Sequence, residues 1–275
     1  MSQEEESQIC RQRNPSFVIA RTLNLMPFIA ELDQGQERQL FYQNSTLSSS
    51  GLGPCLFCIY ILIIADIPGE MVFMCWVRPS FQEQKACIVK SGNFNYDSKY
   101  RGATAKPASL LQEDRELSKD GFSLNHSKVL VGSGPEAYEK GKAALQTWRH
   151  FGMNWAFVDS KTPIQSGVKF CACVKELFPW LMMPLQVVYV SDKKKSAKAL
   201  ASFGFGSGTL EGHLLAGEER FSIELDERNE VWYEVLSFSK PAHFLSVIGY
   251  PYVRLRQKYF AHQSAGAVRD SISAH

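Results

Sequence analysis

The sequence predicts an α+β domain in which an antiparallel sheet meets a long C-terminal helix, and three observations predict it. Phe221, Ile223 and Leu225 alternate with Ser222, Glu224 and Asp226, and Val231, Tyr233 and Val235 alternate with Trp232, Glu234 and Leu236. A period of two marks strands with one buried face. The polar run Asp226–Glu230 between them has the length of a hairpin turn. Toward the C-terminus, Tyr252, Leu255, Tyr259 and Phe260 recur at helical spacing. They predict a helix from Tyr252 to about Ser271, roughly 30 Å long.

Taken in order, the chain changes texture once. Residues 1–70 read as an N-terminal extension of low order, acidic at Glu4–Glu6 and serine-rich at Ser48–Ser50. Its apolar segment at 52–65 falls short of the roughly 20 residues that span a bilayer. Membrane association through 52–77 is therefore the lesser reading. From Met71 the composition becomes that of a folded domain, predicted over 71–275, and Met71 reads as a natural start with the preceding residues added upstream.

Within that domain, Ser109–Lys119 is charged and reads as a surface connection. Phe122–Val131 alternates as a strand, and Gly132-Ser133-Gly134-Pro135 ends it, with Pro135 where a helix would begin. Glu136–His150 carries Tyr138, Gly141, Leu145 and Trp148 at helical spacing, with Trp148 as its core anchor. Val168–Val174 and Leu185–Val190 are strand-like. The apolar, twice proline-pinned segment 177–184 between them lines a pocket, covers one, or packs as a loop. Lys193–Lys195 reads as a solvated hairpin tip. Gly204, Gly206 and Gly208 alternate through a strand, where glycine permits bending or close approach. No Lys-Ser/Thr follows them, which excludes a phosphate loop.

Composition excludes several classes. A net charge of +2 gives no electrostatic case for nucleic acid. The seven cysteines are odd in number and scattered, which argues for a reducing compartment rather than a disulfide framework. Cys55 and Cys58 form a CxxC with no second pair and no histidine nearby. Cys171 and Cys173, on one side of a strand, read as buried thiols. No metal set, dinucleotide fingerprint or nucleophile elbow appears, so no cofactor or metal is expected. The expected location is intracellular, in cytoplasm or plastid, with no secretion signal at Met1.

Two groups of residues invite chemistry. Glu234 and Trp232 share a strand face: on a concave face Glu234 looks into a cavity, and on a convex one it is a solvated carboxylate. His213, Glu218 and Glu219 fall between two strands, where a histidine with two carboxylates could transfer protons. A loop also gathers polar residues without chemical cause.

Tyr100-Arg101-Gly102-Ala103-Thr104, the run Gly206–His213, Gly217-Glu218-Glu219-Arg220-Phe221 and Ser237-Phe238-Ser239-Lys240-Pro241 together resemble uncharacterised protein family 0548, found in plants and bacteria. Met71–Pro79 is similar to the start of its plant branch. The resemblance spans Met71 to about Ser271 and carries no established reaction. It implies a helix-grip fold similar to Bet v 1 and START proteins over about 92–271. There a curved antiparallel sheet grips the C-terminal helix and leaves a cavity for apolar molecules. On that plan the leading expectation is a binder of a small, mostly apolar molecule. Trp180, Phe205, Trp232, Tyr250 and Tyr259 would be its walls, and His213, Glu219 and Glu234 would orient the ligand's polar end. The alternatives are a cyclase- or hydrolase-type enzyme using His213 with Glu218 or Glu219, and an interaction module presenting Leu177–Met183.

Overall fold

A computed structural model describes residues 72–274 except 177 and 195–198. The expectations for the N-terminal extension, its apolar segment and the Cys55–Cys58 pair lie outside the described residues. The chain divides into two units, Met1–Pro68 with Phe244–Leu255, and Gly69–His243 with Arg256–His275. Everything that positions a site below belongs to the second.

Eight antiparallel strands form one sheet: β1 (Met74–Cys75), β2 (Ser123–Ser133), β3 (Ala156–Phe157), β4 (Lys169–Lys175), β5 (Trp180–Lys194), β6 (Ala199–Thr209), β7 (Leu215–Asp226) and β8 (Glu230–Pro241). The order is β2-β8-β7-β6-β5-β4-β3, with β1 added beside β5. Strands β3 to β8 are a meander, and β2 closes against the last of them. The β7–β8 hairpin falls where the alternation placed it, Leu225 opposite Val231. Its turn is fixed by Asp226 Oδ1, which accepts the N–H groups of Arg228 and Glu230, while Asn229 takes a left-handed conformation at φ 63°.

The helices among the described residues are α1 (Phe81–Lys90), α2 (Ala108–Gln112), α3 (Arg115–Lys119), α4 (Gly134–Gln146), α5 (Phe244–Ile248) and α6 (Tyr250–Ser273). Sequence analysis placed no helix at α1, and its signal was there to read. Ser80 Oγ accepts Glu83 N–H while Glu83 accepts the Ser80 N–H at 2.7 Å, a complete capping box. The expected connection at Ser109–Lys119 is instead α2 followed by α3, the latter capped by Asp114. The helix from Glu136 stops at Gln146, short of His150. Trp148 turns left-handed at φ 59° and drops its ring into the core, with Nε1–H donating to the Thr162 carbonyl at 2.8 Å. The proline-pinned segment is strand from Trp180 onward, because Trp180 to Leu185 pair with β4. The charged turn after Asp192 begins later than expected, since β5 runs to Lys194.

The sheet has two covered faces. On the concave face, Phe170, Val187, Phe205, Phe221, Ile223, Val231 and Tyr233 pack with α4 residues Tyr138 and Leu145 and with Ala261, Ala265 and Val268 of α6. So the α6 segment from Arg256 onward lies in the grip of a curled antiparallel sheet, the helix-grip arrangement. On the convex face, Tyr96, Tyr100, Leu111, Leu117 and Phe122 from the segment before β2 cover Leu236 and Phe238. Farther along, α1 covers Cys171, Cys173, Trp180 and Met182 through Cys87. No helix among the described residues is long and apolar enough to cross a membrane.

Candidate functional site

Side-chain alternation along β7 decides which candidates can meet. Phe221, Ile223 and Leu225 point to the concave face, so Glu219 does too, and Glu218 and Arg220 point the opposite way. The carboxyls of Glu218 and Glu219 therefore stand on opposite sides of the sheet. His213 is in the turn before β7, where its Nδ1 lies 2.9 Å from both the N and the carbonyl O of Leu215. Burial depresses its pKa to about 4, with the Leu215 backbone opposing, so the ring is neutral at pH 7. Among the described residues no hydrogen bond joins His213 to either glutamate. The trio expected to share acid–base work is not assembled.

Glu218 is a clamp. It is buried, and its carboxylate accepts Tyr96 O–H at 3.0 Å, Gly102 N–H at 2.7 Å, Thr104 N–H at 2.9 Å and the Thr104 hydroxyl. The Tyr100–Thr104 run is thereby tied to the convex face. Tyr189 belongs to the same network. A bulge between Val187 and Tyr189 re-aims this side chain outward. There its hydroxyl lies 3.0 Å from Thr104 Oγ1 and its ring rests where a side chain on Gly206 would be.

Glu234 and Trp232 take the convex alternative. Glu234 is more than a solvated carboxylate: Arg220 donates to it at 2.7 Å and His126 Nε2 lies 2.7 Å away. Burial disfavours its charge, but Arg220 and then His126 outweigh that and hold the carboxyl below its usual range. Trp232 donates to Asp226 at 3.1 Å beside Lys128. Trp180 also lies on the convex side, in edge contact with Phe157 and under Arg78. None of these three can wall a concave cavity, because strand parity sends them to the other face. Tyr250 lies in the other unit. Tyr259 packs its ring on Trp155, centroids 5.4 Å apart.

The concave face is not hollow throughout. Around Phe205 it is filled by Trp148, His150, Phe151 and Phe221, with ring centroids 4.7 to 5.9 Å apart. Phe205 is thus a core residue rather than a cavity wall. His150 was not among the sequence candidates. It is fully buried and stacked on Trp148, and among the described residues neither ring nitrogen has a hydrogen bond of good geometry. Burial drives its pKa to about 3, with the nearby Ala144 carbonyl opposing. An apolar cage of this kind keeps it neutral.

One row beyond Phe205 and Phe221 the concave face changes character. Register places Ser207 opposite Glu219, and Glu219 opposite Ser237. A carboxyl thus stands between two hydroxyls across β6, β7 and β8. Ser207 Oγ and Ser237 Oγ are buried and have no protein partner among the described residues. Glu219 keeps part of its surface accessible, yet burial pushes its carboxyl up to about 7. The row thus sets a half-buried carboxyl, with no hydrogen bond from protein among the described residues, between two buried hydroxyls. On the same face, Ser264 Oγ of α6 lies 2.6 Å from Tyr233 Oη and Gln257 of α6 donates to Ser239 Oγ at 3.0 Å. The two serines were missed because only register, absent from the local pattern, sets them beside Glu219.

A separate open groove of about 680 Å³ runs between Arg149–Asn154 and the outer side of α6, along His262, Gly266 and Asp270.

A family model described as "Domain of unknown function (DUF1990)" matches residues 104–267. A UPF0548 protein of Arabidopsis thaliana is 63% identical over 204 residues, covering 74% of this chain and 100% of that protein. A UPF0548 protein of Dictyostelium discoideum is 29% identical over 211 residues, covering 73% of this chain and 96% of that protein. Among solved structures, a major latex-like protein from Panax ginseng aligns at a TM-score of 0.37 with 9% identity, over 56% of this chain and 99% of that one. A score that low carries no ligand or activity across.

Proposed function

The chain belongs to the UPF0548 family, whose matched domain is one of unknown function, and on that premise we propose that it binds a small, mostly apolar molecule on the concave face of its sheet. The observation that carries this is the Ser207–Glu219–Ser237 row. Three polar side chains line up across β6, β7 and β8, and none of them has a protein hydrogen bond among the described residues. Buried polar groups are normally satisfied, so unsatisfied ones beside an accessible carboxyl favour a bound group. Aromatic and aliphatic neighbours such as Phe221, Val235 and Phe260 would hold the ligand's body, and Glu219 its polar end. An enzymatic reading with His213 as base has lost its geometry, since neither glutamate is within its hydrogen-bond reach among the described contacts.

Solvent extraction of the purified full chain followed by mass spectrometry tests this. The expected result is one defined small molecule near stoichiometric amount, depleted in a Ser237→Phe variant that crowds this row while keeping its circular dichroism. Extracts that match a buffer blank, together with no displacement of an environment-sensitive dye by any apolar compound, would overturn it.

A further inference from the structure

Resting on that binding reading, we propose that the polar end of the ligand is a cationic amine rather than an acid or a phosphate. The inference follows from which groups face Glu219. Its flanking partners, Ser207 and Ser237, are neutral hydroxyls. Tyr233, the nearest titratable side chain of β8, has its hydroxyl engaged with Ser264 and is held neutral by burial above all. His150 is locked uncharged among aromatic rings. Arg256 of α6 and Lys142 of α4 are engaged with other carboxylates: Arg256 pairs with Glu176 at 3.0 Å and lies over Trp155, and Lys142 pairs with Asp192 at 2.6 Å. Among the described residues no lysine, arginine or histidine bonds to Glu219.

An acidic ligand would place its charge against this carboxyl with no cation to receive it, and like charges at short range in a low-dielectric site repel. A protonated amine instead supplies the missing counter-charge and three donors. One donor would go to Glu219, and the others match Ser207 Oγ and Ser237 Oγ, which accept as hydroxyls. The burial that raises the Glu219 carboxyl is what an amine would relieve, since an opposite charge favours the ionised form.

Three chain-matched probes discriminate the possibilities: decylamine, decanol and decanoate, titrated calorimetrically into the full chain at neutral pH and below micelle-forming concentration. The amine should bind at least about tenfold tighter than the acid, and tighter than the alcohol. Glu219→Gln should abolish that preference, whereas Glu224→Gln on the convex face should retain it. An alcohol or acid that equals or exceeds the amine overturns the amine assignment and leaves the binding reading standing. If none of the three binds, both fall. The ranking in the unmodified chain needs no variant, so a poorly folding substitution does not blunt the test.

Discussion

At the scale of single residues, the most consequential fact is that consecutive glutamates do opposite jobs. Glu218 accepts four hydrogen bonds on the convex side, and Glu219 stands half-buried on the concave side with no hydrogen bond from protein among the described residues. Glu219 therefore titrates unusually, at about 7 instead of an ordinary 4.5. The folded state holds that proton more tightly than the unfolded chain. Its contribution to stability is thus fully present below about pH 4.5 and is lost as pH rises through about 7. The whole loss is at most roughly 3 kcal/mol. Glu219→Gln cannot ionise and should lack this slope. Urea denaturation of both proteins at several pH values should show the variant gaining on the parent between pH 5 and 8. A difference that stays flat with pH would mean that Glu219 is not desolvated. Both residues were legible in the sequence as candidates, but as a pair. The alternation that separates them was equally legible, since successive residues of a regular strand face opposite sides of the sheet.

At the scale of elements, the β5–β6–β7 ribbon shows how glycine and a bulge set the sheet's geometry. The alternate glycines of β6 read correctly as strand, and the structure supplies their reason. Gly206 makes room for the ring of Tyr189, which the β5 bulge has swung to that side. Gly217 is more constrained. Its φ is 155°, and an added methyl would overlap the carbonyl oxygen of Phe238 in the adjacent strand. A side-chain ring can move and a ladder carbonyl cannot without breaking the pairing. Gly217→Ala should therefore cost more than about 3 kcal/mol, against about 1 kcal/mol for Gly206→Ala. Equal midpoint shifts for the two variants in thermal unfolding would contradict this ordering. The bulge itself had no sequence signature. It lies in the β5–β6 pairing just past the end of the β4–β5 ladder, a placement set by strand pairing that no local window contains.

At the scale of the whole molecule, the described sheet buries both faces, although its strands show the plain alternation of one buried face. The segment before β2 explains the difference by covering Leu236 and Phe238 with Tyr96, Tyr100 and Phe122. Glu218 fastens that cover to the sheet. Glu218→Gln keeps the shape but turns one acceptor into a donor facing donors, at an expected cost of about 2–4 kcal/mol. Amide exchange at Gly102 and Thr104 should accelerate more than exchange at the β7–β8 hairpin. If all amides accelerate equally, the cover and the sheet unfold as one unit and the clamp is not local.

What the sequence by itself determined is the set of elements and their class. Period-two runs, turn residues and a helical C-terminal stripe depend only on neighbours a few positions apart, and they fixed an antiparallel sheet with a terminal helix. The quoted motifs likewise identified the family. Tertiary structure alone decided which face each side chain serves in the assembled sheet. It put Trp180, Trp232 and Glu234 outside, packed Phe205 into an aromatic core, and aligned Ser207, Glu219 and Ser237 in one row. Those outcomes rest on strand register, one bulge and a covering layer. Each is a contact between residues far apart in the chain, which only the closed sheet brings within reach.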